Sequence, residues 1–164
     1  MRHAILLTGL LFLIAGAPAF AACAERGGGS LVMTGELAVD TVSRLVWKRC
    51  PVGMTWSDRA AGCLGDATGL TQEEARRAAA EAGPGWRLPT GEELETLIVD
   101  ACSGLAIDTQ VFPDIARADF GEGVLFWTST EALPGMFYFF DFTNGYADMH
   151  SDGFRLSALL VRDR

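Results

Sequence analysis

Histidine is scarce in this sequence, and several familiar catalytic frames are missing. Of the two histidines, His3 lies at the extreme N-terminus and His150 is the only one beyond it. Any histidine-assisted nucleophile would have to use His150, yet no serine sits in a G-x-S-x-G frame. Asp148, Ser151 and Asp152 flank it and read as an exposed turn. The four cysteines include no C-x-x-C pair, which removes the usual zinc spacing, and no metal site or cofactor is expected. Asp141, Asn144, Asp148 and Asp152 gather oxygen donors without EF-hand spacing. Strand alternation and turn chemistry explain them.

Basic residues are outnumbered 13 to 21, for a net charge of −8, and they form no run. Such a chain repels nucleic acid and anionic membranes at long range, so neither is expected as a partner. There are no internal repeats, and low complexity is confined to the Gly-rich stretch near Arg26–Ser30.

The one long apolar run lies at the start. Arg2 and His3 precede Ala4–Ile14, and Ala19-Phe20-Ala21 follows with small residues at the cleavage positions. This pattern predicts a secretory signal peptide over residues 1–21. The run is too short to favour an integral membrane span. Phe20-Ala21-Ala22-Cys23 offers a competing lipoprotein site, with the chain anchored at Cys23. The even cysteine count of an exported, oxidised protein favours the first cut. The expected product is periplasmic or extracellular. Its 12 basic and 21 acidic residues give a charge of −9.

The remaining 143 residues suit one domain. Residues 22–35 read as a Gly-rich leader and 36–164 as the domain. Leu37-Ala38-Val39 and Leu45-Val46-Trp47 predict a β-hairpin. Thr71-Gln72-Glu73-Glu74 is a capping box ahead of a run of helix formers, and Gly83-Pro84-Gly85 ends that helix. Trp86-Arg87-Leu88-Pro89-Thr90 then joins it to a second helix over about 91–101. Pro89 keeps Leu88 extended, and Thr90 with Glu93 forms a second capping box. Leu94, Leu97, Ile98 and Ala101 fall on one helical face, which leaves Glu92, Glu93 and Glu95 solvated. Trp86 is expected between the two helices, and Arg87 in a structural ion pair or on a carbonyl.

Residues 103–122 lack periodicity and predict a long loop held by Ile107, Val111 and Phe112. Strands follow at 124–130, 136–142, 146–149 and 156–162. Asn144-Gly145 suits a type I′ turn. Trp47 and Trp127 belong to the core, and Trp56 is the most exposed tryptophan. Four cysteines allow three pairings. The short loop from Cys50 to Cys63, with Pro51 and Gly53 inside it, favours that pair and leaves Cys23 for Cys102. A disulfide across such a loop stabilises by about 3 kcal/mol in the chain-entropy model.

The landmarks Val46-Trp47-Lys48-Arg49-Cys50, Trp86-Arg87-Leu88-Pro89-Thr90-x-x-Glu93-Leu94, Phe112-Pro113, Phe126-Trp127-Thr128-Ser129-Thr130 and Phe142-x-Asn144-Gly145 occur in an ordered series. Together they resemble the bacterial domain family typified by the C-terminal domain of the Legionella collagen-like protein. The resemblance spans about Glu36 to Arg162. It implies an α+β, C-type-lectin-like fold with two helices packed on antiparallel β-hairpins, shared in outline with formylglycine-generating enzymes and phage receptor-binding domains. The founding member is a trimeric adhesin for sulfated glycans. A charge of −9 without a basic run argues against carrying that ligand over.

The resulting expectation is a non-enzymatic binding module of the bacterial envelope, with a glycan or protein ligand and a homo-oligomer among its partners. The alternatives are a formylglycine-generating type of enzyme using a cysteine pair, and a structural envelope protein whose apolar C-terminal strand packs on a partner. The loops 50–63, 103–122 and 144–153 are the expected binding elements.

Overall fold

A computed structural model describes residues 30–99 and 104–164. The proposed signal peptide, Cys23, Ala101 and Cys102 lie outside these residues. Within them the chain is α+β, with mostly antiparallel sheets, two helices and the disulfide Cys50–Cys63.

The first sheet takes four strands in the order β1 (Leu31–Thr34), β2 (Leu37–Asp40), β3 (Leu45–Lys48) and β9 (Val161–Asp163), all antiparallel. The predicted β2–β3 hairpin forms. Its turn is organised by Asp40, whose Oδ1 accepts the amides of Val42 and Ser43. On the buried face Trp47 lies between Ala38 and Val161, and all three are fully covered. A small residue opposite the indole leaves room for it. Strand β1 lies within the 22–35 stretch assigned to the leader, at Leu31, where the sequence pattern is already strand-like. Its apolar Val32 and Met33 stay half-exposed at the sheet edge.

The disulfide loop holds a short hairpin, β4 (Thr55–Ser57) with β5 (Gly62–Leu64), where sequence reading expected only a compact turn. Gly53 is needed there. Its φ is +96°, and a Cβ would come within 2.3 Å of Thr68 Oγ1 and 2.7 Å of the Asp66 carbonyl.

Helix α1 (Gln72–Glu81) starts at the predicted capping box. Glu74 N–H donates to Thr71 Oγ1, and Thr71 N–H donates to Glu74 Oε2. Helix α2 also starts as predicted, on Thr90 and Glu93, but runs only from Gly91 to Glu95. The expected continuation towards residue 101 does not form. Ile98 instead bridges to Ile107, and Val99 N–H donates to the Ala106 carbonyl. Leu94 and Leu97 are buried as the helical spacing required, whereas Ile98 is 37% exposed.

The third sheet joins β6 (Leu125–Leu133), β7 (Met136–Asp141) and β8 (Tyr146–Ser151) in sequence order. The β7–β8 turn is not type I′. Gly145 alone takes a positive φ, and Gly145 N–H reaches back to the Asp141 carbonyl at 2.8 Å. Asp141, 2% exposed, holds this turn by accepting from Thr143 N, Asn144 N and Asn144 Nδ2.

This sheet divides the core. One face sends Phe126, Phe140 and Phe142 towards Trp47 and the loop residues Ile107, Val111 and Phe112, as the sequence suggested for that loop. The other sends Leu125, Trp127, Phe137 and Phe139 towards Ala75 and Ala79 of α1. Period-two alternation in β6 and β7 produces this division.

The final strand was expected over 156–162, but only Val161–Asp163 joins a named strand. Residues 156–160 instead stitch successive parts of the molecule together. Leu156 exchanges backbone bonds with Leu70, and Ser157 with Leu125 and Trp127. The carbonyl of Ala158 accepts from Val52, and that of Leu160 from Lys48. Leu156 to Val161 are buried within the chain itself. This apolar stretch is therefore internal packing, which removes the reading of it as a partner-binding surface.

Candidate functional site

The Trp86–Thr90 stretch is a structural clasp. Arg87 exchanges backbone bonds with Val161 at 2.9 and 3.0 Å. Its guanidinium grips Glu93 with two bonds of 2.7 Å and reaches Asp163 at 3.4 Å. Glu93 also accepts the Thr90 amide at 2.8 Å. One carboxylate thus closes the capping box and binds the arginine, so Glu93 is not the solvated residue expected. Burial works to raise its pKa, but Arg87 and the Thr90 amide outweigh that and hold it below the ordinary carboxylate value. Leu88 is buried in the second half of the core, and the Pro89 carbonyl accepts from Ser129.

Trp86 lies half-buried against the first sheet. Lys48 Nζ is 5.2 Å and the Arg162 guanidinium 5.0 Å from its ring. The ring also packs against the core cluster that includes Ala75 and Ala79 of α1, while the bonds from Arg87 to Val161 draw the segment onto β9.

The disulfide loop is held from outside. Cys63 N–H donates to Asp114 Oδ2 at 2.9 Å, and Arg117 binds the Cys63 carbonyl and Asp66. Arg49, which sequence reading did not single out, is 6% exposed. Its guanidinium donates to the carbonyls of Val111, Gly35 and Gln110, and lies 4.0 Å from the Trp56 ring. Trp56 is therefore half-covered rather than open. A cationic residue next to a cysteine carries no local signal for this role, since all three carbonyls come from elsewhere in the chain.

His150 stacks on Phe154 with ring centres 3.7 Å apart, and Nδ1 lies 3.3 Å from Ser151 Oγ. The four oxygen-donor residues near it do not converge. Asp141 is committed to its turn, and Asp148 accepts from Met149. Among the described residues, no three His, Cys, Asp or Glu side chains gather in a metal-binding group.

A cleft of about 350 Å³ opens between the start of α1, β7 and the turn after β8. Thr71, Gln72, Glu73, Arg76, Phe137, Asp152 and Gly153 line it. The Gln72 amide donates to the Asp152 carbonyl at 2.9 Å, joining two of the walls. Gln72 is 2% exposed. Its Nε2 donates to the Thr128 carbonyl at 2.7 Å, while Oε1 is buried with no donor. Arg76 lies over the Phe137 ring at 4.9 Å. Among the described residues, neither the Arg76 guanidinium nor the Asp152 carboxylate has an ion-pair partner.

Asp152 and Gly153, just after β8, form one side of this cleft and α1 and β7 the other; the stretch 144–153, read as a binding loop, is mostly the strand β8. One sequence signal pointed there. Gln72, Ala75 and Ala79 share the buried stripe of α1, so an amide stands where an apolar residue would be usual.

A smaller cleft of about 200 Å³ lies nearby, lined by Phe120, Glu122, Phe154 and Arg155 among others. Arg155 closes one side by pairing with Glu74 at 2.8 Å and donating to the Gly69 carbonyl. The Thr71 amide, followed by Arg155, holds the Glu74 carboxyl below its ordinary range.

The family model described as the Lcl C-terminal domain matches residues 36–162. None of the curated proteins compared with the chain matches it.

Proposed function

The chain belongs to the Lcl C-terminal domain family, and from that premise we propose that it is an exported, non-enzymatic binding module on a C-type-lectin-like scaffold. Its ligand is a glycan or a protein surface of the bacterial envelope, taken up in the cleft between α1 and β7. Two helices against antiparallel hairpins support the lectin-like reading. The signal-like residues 1–21 and the Cys50–Cys63 disulfide support export into an oxidising compartment. Among the described residues, no helix is long and apolar enough to cross a membrane. Joining Cys50 to Cys63, with Cys63 3% exposed, weighs against an enzyme built on that pair as reactive thiols.

The cleft carries the proposal. Two charged groups without ion-pair partners among the described residues, Arg76 and Asp152, line a concavity large enough for a small ligand. A glycan array and a pull-down on envelope extracts, run with the wild-type protein and Arg76→Ala, test this reading. Binding that falls in Arg76→Ala at unchanged stability is expected. Equal binding by both proteins refutes the cleft assignment. Turnover of a thiol-containing peptide substrate would overturn the non-enzymatic reading. Light scattering over a concentration series tests whether the homo-oligomer expected among its partners forms.

A further inference from the structure

The polar groups around the cleft are unbalanced in a way that selects a ligand. Accepting groups outnumber donating ones. Asp152 offers a carboxylate without an ion-pair partner among the described residues. Glu73 adds a second carboxylate, 2.8 Å from Arg77 on the exposed side of α1. Against these stands one guanidinium, Arg76, which lies on the Phe137 ring rather than on an acid.

We propose that this cleft takes a neutral, hydroxyl-rich saccharide unit and discriminates against anionic glycans. The inference rests on the reading of the cleft as the binding site. A hydroxyl both donates and accepts. Neighbouring hydroxyls can therefore donate to Asp152 while accepting from Arg76, using groups the protein itself leaves unpaired. A sulfate or carboxylate brings acceptors only. It would engage Arg76 but would face Asp152 and Glu73 as like charges, in a chain that is acidic overall. Phe137, 8% exposed beneath Arg76, adds a small apolar edge. A volume of about 350 Å³ suits one or two sugar rings. The Gln72 backbone N–H donates to the Asp152 carbonyl, so the main chains of the two walls are joined at that point.

The test uses the full chain, expressed with its leader so that processing is native, and labelled with ¹⁵N. One arm titrates neutral trisaccharides of glucose, galactose, mannose and N-acetylglucosamine. The other titrates a heparin tetrasaccharide and a trigalacturonate. The expected result is amide shifts at 71–76, 137 and 152–153 with a neutral probe. Affinity should weaken at least about tenfold in both Asp152→Asn and Arg76→Ala, with their melting temperatures unchanged. Shifts of those same amides with anionic probes alone overturn the ligand class but leave the cleft as the site. Shifts elsewhere, or none with any probe, overturn the cleft reading and this inference together.

Discussion

Removing Glu93 tests the clasp directly. In Glu93→Ala the Thr90 amide loses its acceptor and Arg87 loses both of its 2.7 Å bonds. A broken capping interaction costs about 1 kcal/mol. Bonds to charged groups are worth about 1.5–3 kcal/mol when buried, but the Arg87 side chain is 39% accessible and Glu93 18%. Solvent screening cuts the pair to about 1–2 kcal/mol. The total is about 2–3 kcal/mol, read as a shift of the urea midpoint followed by tryptophan fluorescence. A double-mutant cycle with Arg87→Ala isolates the pair and should give a coupling of about 1 kcal/mol or more. The pH dependence has a defined sign. A carboxyl whose folded pKa is depressed contributes fully above the unfolded value, about 4.3, and loses that contribution as pH falls through the folded value. The gap between wild type and Glu93→Ala should therefore narrow below about pH 4. A coupling under about 0.3 kcal/mol, the error of additivity, or a gap that widens in acid, would refute the assignment.

Other perturbations bear on separate parts of the fold. Replacing Cys50 and Cys63 together by serine should cost about 3 kcal/mol for a loop of this length, measured by chemical unfolding against the oxidised protein; an unchanged midpoint would show that the hairpin inside the loop holds without it. Gly53→Ala adds left-handed strain and a backbone clash, about 2–4 kcal/mol together; a loss under about 1 kcal/mol, the ordinary scale for a mutation, contradicts the close approach. Arg49→Met leaves the carbonyls of Val111, Gly35 and Gln110 without their donor, and should lower the melting temperature and raise hydrogen exchange at 104–114; unchanged exchange there would show that the loop is held by other contacts. Trp86→Ala should cost well under the 3–5 kcal/mol of a fully buried aromatic, because the ring is only partly buried; a full-size loss in a thermal melt would put Trp86 in the core.

What could be read before the structure was local. Both capping boxes close within four residues, so Thr71–Glu74 and Thr90–Glu93 mark their helices correctly. The short loop between Cys50 and Cys63 pointed to the disulfide, and their position inside apolar strands placed Trp47 and Trp127 in the core. The errors arise where distant parts of the chain decide. Helix α2 stops because Ile98 and Val99 pair with Ile107 and Ala106; nothing between Glu95 and Val99 forbids a further turn. Glu93 leaves the solvent because Arg87, held by Val161, turns back towards it. The Asn144-Gly145 turn takes another form because Asp141 supplies acceptors to the loop. Gln72, Arg76, Phe137 and Asp152 come from three elements and meet only when α1 packs on the third sheet. Of these, only the polar residue on the buried stripe of α1 left a trace in the sequence.

The stitch made by residues 156–161 also constrains the order in which the protein can be assembled. This segment bonds to Leu70, Leu125, Trp127, Val52, Lys48 and Arg87, partners drawn from most of the preceding chain. A polypeptide emerging from the ribosome cannot make these bonds until residue 161 has cleared the exit tunnel. Until then β3 lacks one neighbour and the Leu125–Trp127 backbone lacks its bonds to Ser157. A chain that stops short of residue 156 should therefore stay protease-sensitive, and resistance should appear only once residues 156–161 are in place.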